Sequence, residues 1–281
     1  MWLLEEKYSG EKTRAYEKDK ERLALGEPLA YVIGWQPFLG LKIYLDSRPL
    51  IPRPETEWWT EQLLKSESPE RKTGVRLGRA ARSAPVFRSG NEPLRFLDLC
   101  AGSGAIGCAA LARLPASPEL QRGEPNAQVY FGEIDPAHEA TILKNIRTNG
   151  LDESRAHVRI GDLFSAKGGS ASGGELLSSM KFDIIAANPP YIPASRTLPQ
   201  SVADFEPALA LMAGIDGLAI IRRIAAELPR HLTTGGTAWI ECDSAHVEAA
   251  QKLFGARGLD AKIHNDQYDR PRFFVIKSRH V

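Results

Sequence analysis

Residues Phe182 to Tyr191 read FDIIAANPPY. Ile184, Ile185, Ala186 and Ala187 form an apolar run bounded by Asp183 and by two prolines, the pattern of a short strand that is buried on both faces and stops abruptly. Asn188 then falls at the carboxyl end of that strand, where open parallel α/β sheets bind their ligands. Pro189 and Pro190 fix the backbone direction and remove two backbone donors, so the carbonyls there stand as a rigid acceptor cluster. Tyr191 follows as an aromatic wall. An amide side chain, a fixed carbonyl and a ring are together well suited to holding a planar –NH2 group by its two hydrogens while its nitrogen lone pair faces an electrophile. The plainer alternative is a proline-terminated strand whose Asn caps a turn, and the rest of the chain has to decide between the two.

The chain has 281 residues, 43% of them apolar, enough for one large domain or slightly more with a substantial core. Lys plus Arg number 36 against 35 Asp plus Glu, a net charge of +1, which argues against binding nucleic acid by bulk electrostatics. Cys100, Cys108 and Cys242 form no Cys-x-x-Cys pair, and none of the six histidines shares a helix face with a second ligand at zinc spacing. A reduced compartment and no metal are therefore expected. No apolar run approaches the ~18 residues needed to span a membrane. Acids at Glu5 and Glu6 fit neither a secretory signal nor an intact transit peptide.

In chain order, residues 1 to 25 read as one or two short helices stopped by Gly26. Alternation of Leu41, Ile43 and Leu45 after a Leu39-Gly40 turn predicts a hairpin, and Pro54 opens a helix through Trp58, Trp59, Leu63 and Leu64. Residues 66 to 93 carry Arg71, Lys72, Arg76, Arg79, Arg82 and Arg88 with no acid between Glu70 and Glu92, and read as a solvated loop or, more sharply, a contact for RNA or an acidic partner.

FLDLCAGSGAIG, Phe96 to Gly107, is a strand running into a glycine loop and a helix. Such a loop alone is a weak signal, because dinucleotide-binding folds use one too, and Ile106-Gly107 supplies a further glycine. Support comes from the second strand, QVYFGE at Gln128 to Glu133, whose final acid can accept hydrogen bonds from both hydroxyls of a ribose. Asp135 caps the helix from Ala137 to Asn149. A third strand, Ala156 to Ile160, leads to Asp162 and Leu163; residues 167 to 179 are Gly/Ser-rich and read as flexible linker. Leu218, Ile221, Ala225, Leu228 and Leu232 form a helical core stripe capped by Asp216. Ala238 to Cys242, Val247 to Arg257 and Arg272 to Lys277 read as strand, helix and strand. Cys100 beside the glycine loop is a candidate nucleophile, although packing at a strand end accounts for it as well.

The Asn-Pro-Pro-Tyr tetrapeptide resembles the signature of amino-methyltransferases, and Gly102-Ser103-Gly104 after Asp98-Leu99 resembles the cofactor loop of class I methyltransferases. GEPLAYVIG (26 to 34) and IPRPETE (51 to 57) are similar to the linker of the release factor glutamine methyltransferases, and the likeness runs from Gly26 to the end apart from two insertions. The resemblance implies a Rossmann-like class I α/β fold: a seven-stranded, mostly parallel sheet with an antiparallel final strand. It implies a reduced helical and hairpin region at 1–57 before a catalytic domain at 58–281, with flexible insertions near 66–93 and 167–179. S-adenosylmethionine is the implied cofactor, held by Cys100, Ala101, Gly102, Ser103, Gly104, Glu133, Asp162 and Leu163 and bordered by Asn188. Several relatives have an aromatic where Leu163 stands, so stacking there gives way to apolar contact. Asn188, Pro189, Pro190 and Tyr191 would bind the substrate, with Asn188, Pro189 and Tyr191 catalytic. The implied reaction is methylation of the glutamine of a Gly-Gly-Gln motif in a peptide chain release factor, a step belonging to translation termination.

The competing readings are a methyltransferase for an exocyclic amine of DNA or RNA, disfavoured by the near-zero charge, and a cofactor-binding protein without catalysis. The short amino-terminal region, the early Trp-Leu-Leu-Glu-Glu and the insertions look most like the mitochondrial eukaryotic branch, with a cytoplasmic bacterial-type protein as the alternative. A monomer with no stable nucleic-acid or membrane association is expected.

Overall fold

The computed structural model describes residues 2–67, 93–114, 127–165, 167–168 and 177–279. The amino-terminal part is built from local signals. Helices α1 (Trp2–Tyr8) and α2 (Arg14–Ala24) come first, and the Thr13 hydroxyl accepts the Tyr16 N–H at the start of α2. A short α3 (Leu29–Ile33) ends at Gly34, and the hairpin β1 (Trp35–Phe38) and β2 (Leu41–Tyr44) follows. Its two-residue turn, Leu39-Gly40, has both residues at positive φ, as a right-twisted hairpin requires. Helix α4 (Pro54–Ser66) starts on Pro54, whose missing N–H is no loss in a first turn.

From there strands and helices alternate. β3 (Arg95–Leu99), α5 (Ala105–Arg113), β4 (Gln128–Glu133), α6 (Glu139–Thr148), β5 (Ala156–Ile160), β6 (Lys167–Gly168) and β7 (Phe182–Ala187) lead to the short helices α7 (Gln200–Ala203) and α8 (Ala208–Leu211). The chain continues with α9 (Ala219–His231), β8 (Leu232–Glu241), α10 (Val247–Gly255), β9 (Leu259–Asn265) and β10 (Pro271–Ser278). The strand order is β6-β5-β4-β3-β7-β8-β10-β9. β10 runs antiparallel to both its neighbours, and the two-residue β6 runs antiparallel to β5. Without β6, this is the seven-stranded, mostly parallel sheet with an antiparallel final strand that the sequence implies.

Every residue of β7 is buried, as the apolar run Ile184 to Ala187 requires, and Asp183 is buried with them. One apolar layer joins the hairpin, α4, α5 and α6 to the sheet, and a second packs α9 and α10 on the other face. Contact on the first layer is close. A Cβ on Gly107 would lie 2.2 Å from the Phe131 ring, so α5 rests directly on β4 only because residue 107 is glycine.

The structure departs from the sequence reading in several places. Leu232 is the first residue of β8, not the end of the helical stripe, because α9 stops at His231. β8 also begins six residues before Ala238: its pairing jumps from Phe182–Leu232 to Ile184–Thr237, an irregularity over Thr233 to Gly236 that hides the strand's first half. Leu259, Ala261 and Ile263 belong to β9, to which the sequence reading assigns no element. The expected linker at 167–179 is structured at both ends. Lys167 and Gly168 pair with Ile160 and Arg159, and Leu177 is fully buried in a 3-10 turn. The basic cluster Arg71, Lys72, Arg76, Arg79, Arg82 and Arg88 lies outside the described residues. The expected boundary after Glu57 falls inside α4. Among the described residues no helix is long and apolar enough to cross a membrane, and no cluster of His, Cys, Asp and Glu is placed to hold a metal.

Candidate active site

The carboxyl ends of β3, β4, β5 and β7 meet in one crevice, as expected of an open parallel sheet. A cavity there, lined by Cys100, Gly102, Glu133, Asp162, Leu163 and Asn188 among others, holds about 760 Å³ of empty space, part of it open to solvent. Leu50 from the segment before α4 and Pro207, Leu209 and Ala210 from the α8 region close its sides.

Glu133 is the last residue of β4 and is held at both carboxylate oxygens. Oε2 accepts the Gly102 N–H at 2.7 Å, and Oε1 accepts the Asp135 N–H at 2.9 Å. Each oxygen keeps a lone pair, so the group can still accept from two neighbouring hydroxyls. Asp135 accepts the Ala137 N–H, the expected cap. Asp162 forms a half-exposed ion pair with Arg223 at 2.8 Å, and Leu163, at φ 50°, presents an apolar surface. Ala101, Ser103 and Gly104 do not line the cavity but shape the turn behind it. The Ala101 N–H donates to the Gly132 carbonyl, the Gly104 N–H to the Ala101 carbonyl, and the Ser103 carbonyl accepts from Asn145 Nδ2. Cys100 does line the cavity, but burial, with Glu133 and Asp98 nearby, pushes its thiol well up. It stays a thiol and makes a poor nucleophile. A carboxylate fixed at the end of β4, a second at the end of β5 and an apolar lining between them match the polar and flat faces of an adenine nucleoside.

A second cavity, with about 580 Å³ of empty space, shares Asn188 with the first and is lined by Arg53, Pro189, Tyr191, Leu198 and Val202 among others. Asn188 borders both cavities, and Pro190 borders the first. Asn188 Nδ2 donates to Thr56 Oγ1 at 3.0 Å, which leaves Oδ1 as its remaining acceptor. Thr56 in turn donates to Glu241 Oε2 at 2.7 Å. The same oxygen receives the Trp59 indole N–H at 2.8 Å, and Glu241 Oε1 receives the Tyr191 hydroxyl at 2.9 Å. Burial pushes the Tyr191 phenol well up, and Glu241 adds to this, so the ring is a neutral wall and not a base. Burial also raises the Glu241 carboxyl, against three donors that favour its charged form.

The backbone after the prolines is tied down. The Ile192 N–H donates to the Leu211 carbonyl, the Ile192 carbonyl accepts from the Ala213 N–H, and the Ala194 N–H donates to the Gly214 carbonyl. Gly217, at φ 70°, passes so close that a Cβ there would lie 2.6 Å from the Tyr191 carbonyl oxygen. The buried Glu206 carboxylate accepts the Ile51 N–H and an Arg53 N–H, binding the segment before α4 to the segment beside α7.

The structure thus brings Glu133, Asp162, Leu163 and Pro190 to the first cavity and Pro189 and Tyr191 to the second, with Asn188 bordering both, in one candidate site. Thr56, Trp59 and Glu241 complete it and were missed in the sequence. One signal was present: Glu241 is an acid inside the apolar run Ala238 to Cys242, and a buried acid in a strand needs donors.

No family model matches the chain. It is similar to the release factor glutamine methyltransferase of Lactococcus lactis subsp. lactis, 30% identical over 98% of this chain and 86% of that protein. The protein of the same description from Pseudomonas aeruginosa is 34% identical over 85% of this chain and 71% of its own. Among solved structures, the hMettl16 catalytic domain in complex with MAT2A 3'UTR hairpin 6 matches with a TM-score of 0.51 at 16% identity, over 86% of this chain and 77% of that one. At that identity the likeness concerns the fold.

Proposed function

Because the chain belongs to the release factor glutamine methyltransferase family, we propose that it methylates the side-chain amide nitrogen of the glutamine in a release factor's Gly-Gly-Gln motif. The observation that carries this reading is the state of Asn188, a residue that lines both cavities: its nitrogen donates to Thr56, which leaves its oxygen as the acceptor. Glu133, Asp162 and Leu163 would hold S-adenosylmethionine, the carboxylates by its hydroxyls and amine and the leucine by its ring. When bound, that cofactor supplies an electrophilic methyl carbon on a sulfonium.

The chain's own residues do the rest. Asn188 Oδ1 and the Pro189 carbonyl accept the two hydrogens of the glutamine amide, and Tyr191 walls its plane. This aims the nitrogen lone pair at the first cavity, and alignment of this kind is worth ~7 kcal/mol or more. No strong base is required beforehand. The methylated amide nitrogen is acidic and releases its surplus proton to water.

Incubating the protein with a release factor and isotope-labelled cofactor, then mapping tryptic peptides by mass spectrometry, tests the proposal. Label on the Gly-Gly-Gln glutamine is expected; label elsewhere or nowhere overturns it. Asn188→Ala should reduce transfer by on the order of 100-fold while cofactor affinity stays within about threefold. A mitochondrial setting and a monomeric state also belong to the proposal, on sequence grounds. Cell fractionation and light scattering check them, and a wholly cytosolic or dimeric protein would overturn each.

A further inference from the structure

We propose that Thr56 and Glu241 are positioning residues that select which end of the Asn188 amide faces the substrate. The inference rests on the reading of Asn188 as the acceptor for the glutamine amide. An asparagine amide has two nearly isosteric orientations, related by a flip that exchanges oxygen and nitrogen. With the nitrogen outward, Asn188 would present donors to a group that itself offers only hydrogens at that point. Something must prevent the flip.

A hydroxyl has one hydrogen, and that of Thr56 goes to Glu241 Oε2 at 2.7 Å. Towards Asn188 the Thr56 oxygen can then only accept, so it selects the Asn188 nitrogen, 3.0 Å away. Glu241 Oε2 is kept an acceptor in its turn by Trp59, whose indole N–H lies 2.8 Å away and cannot accept. Were Glu241 to carry a proton, the place for it is Oε1, towards Tyr191, and the polarity on the Thr56 side would be unchanged. Donation thus runs from Asn188 to Thr56 and from Thr56 to Glu241, and Trp59, which also donates to Glu241, keeps that direction fixed. Thr56, Trp59 and Glu241 are all buried, so water does not compete for these bonds. The same carboxylate holds Tyr191 by its other oxygen, referring the acceptor and the aromatic wall to a single anchor.

Thr56→Val keeps the shape and removes the hydroxyl. It should lower kcat roughly 10- to 100-fold, with KM for the release factor and the affinity for S-adenosylhomocysteine both within about threefold of wild type. Thr56→Ser should restore kcat. Glu241→Leu should act in the same direction, but it also uncaps Trp59 and Tyr191, so the Thr56 pair is the cleaner comparison. A second measurement needs neither cofactor nor substrate: solvent exchange of the one Asn188 side-chain amide proton that is bonded to Thr56, followed by NMR, should be slow in wild type and Thr56→Ser and fast in Thr56→Val. Wild-type kcat in Thr56→Val, or unchanged exchange, overturns the proposal. A wild-type protein that transfers no methyl group overturns the functional reading instead, and the exchange measurement still decides the role of Thr56.

Discussion

Glu133 accepts from the Gly102 and Asp135 amides at 2.7 and 2.9 Å, so its carboxylate is oriented before any ligand arrives. Glu133→Gln keeps the size but turns one acceptor into a donor facing a backbone N–H, and the lost charge-assisted bonds should weaken cofactor binding roughly 10- to 100-fold. Isothermal titration checks this, and activity should recover at high cofactor concentration; unchanged affinity would remove Glu133 from the cofactor site. Glu133, Asn188 and Tyr191 were legible because each stands beside its own punctuation, a strand end or a proline pair. The glycine loop was less decisive, since Gly102, Gly104 and Gly107 also satisfy a dinucleotide-binding spacing. Thr56 was not legible at all, and Glu241 showed only as an acid in an apolar strand. Their meaning lies in a bond between side chains 185 positions apart, and no local pattern announces it.

The junction of β3 and α5 carries an element-scale consequence. Asp98 Oδ2 accepts the Gly107 N–H at 2.8 Å, while Oδ1 is buried and has no partner among the described residues. Burial outweighs the Gly107 bond and pushes the carboxyl from 3.8 up to about 8. The folded state therefore keeps a proton that the unfolded chain releases earlier. The contribution of Asp98 to stability should be fully present below pH ~4 and fall as pH rises towards about 8. Asp98→Asn should flatten that fall in urea titrations between those limits; parallel curves for the two proteins would contradict the assignment. Elements with local causes were readable in advance: the Leu39-Gly40 turn, Pro54 at the start of α4, the Asp135 cap. Those that depend on partners were not. The irregular start of β8 is held by Phe182 and Thr233, and the Thr233 hydroxyl donates to Asp183 at 2.8 Å. Leu177 is ordered by core contacts that its Gly/Ser-rich neighbours conceal.

Across the molecule, the two apolar layers on the sheet contrast with the small cluster of Leu3, Val32 and Ile33 that supports α1 and α2. Those helices also depend on Asp19, which accepts from Lys7 at 2.6 Å, Tyr8 at 2.7 Å and Arg22 at 2.8 Å. Burial pushes the Asp19 carboxyl up, but these bonds outweigh it and hold it below 3.8. Its contribution is thus present above that value and lost as pH falls further. Hydrogen exchange should be faster in α1 and α2 than in β3 and β7, and Asp19→Ala should quicken only the former; uniform protection would show a single cooperative unit. The order of motifs made the fold class readable, whereas the docking of the hairpin was hidden. Asn145 on α6 and Asn149 at its carboxyl-terminal cap use their amides to bond both the N–H and the carbonyl of Tyr44 and Lys42, covering the edge of β2 in place of another strand. The sheet's order reaches further still. β10 follows β9 in the chain yet lies between it and β8. A growing polypeptide translated only as far as Asn265 has an open flank on β8 beside the buried stretch Ala238, Trp239 and Ile240. A nonsense mutation just upstream of Pro271 would accordingly yield sticky, chaperone-dependent material and not a weakened enzyme.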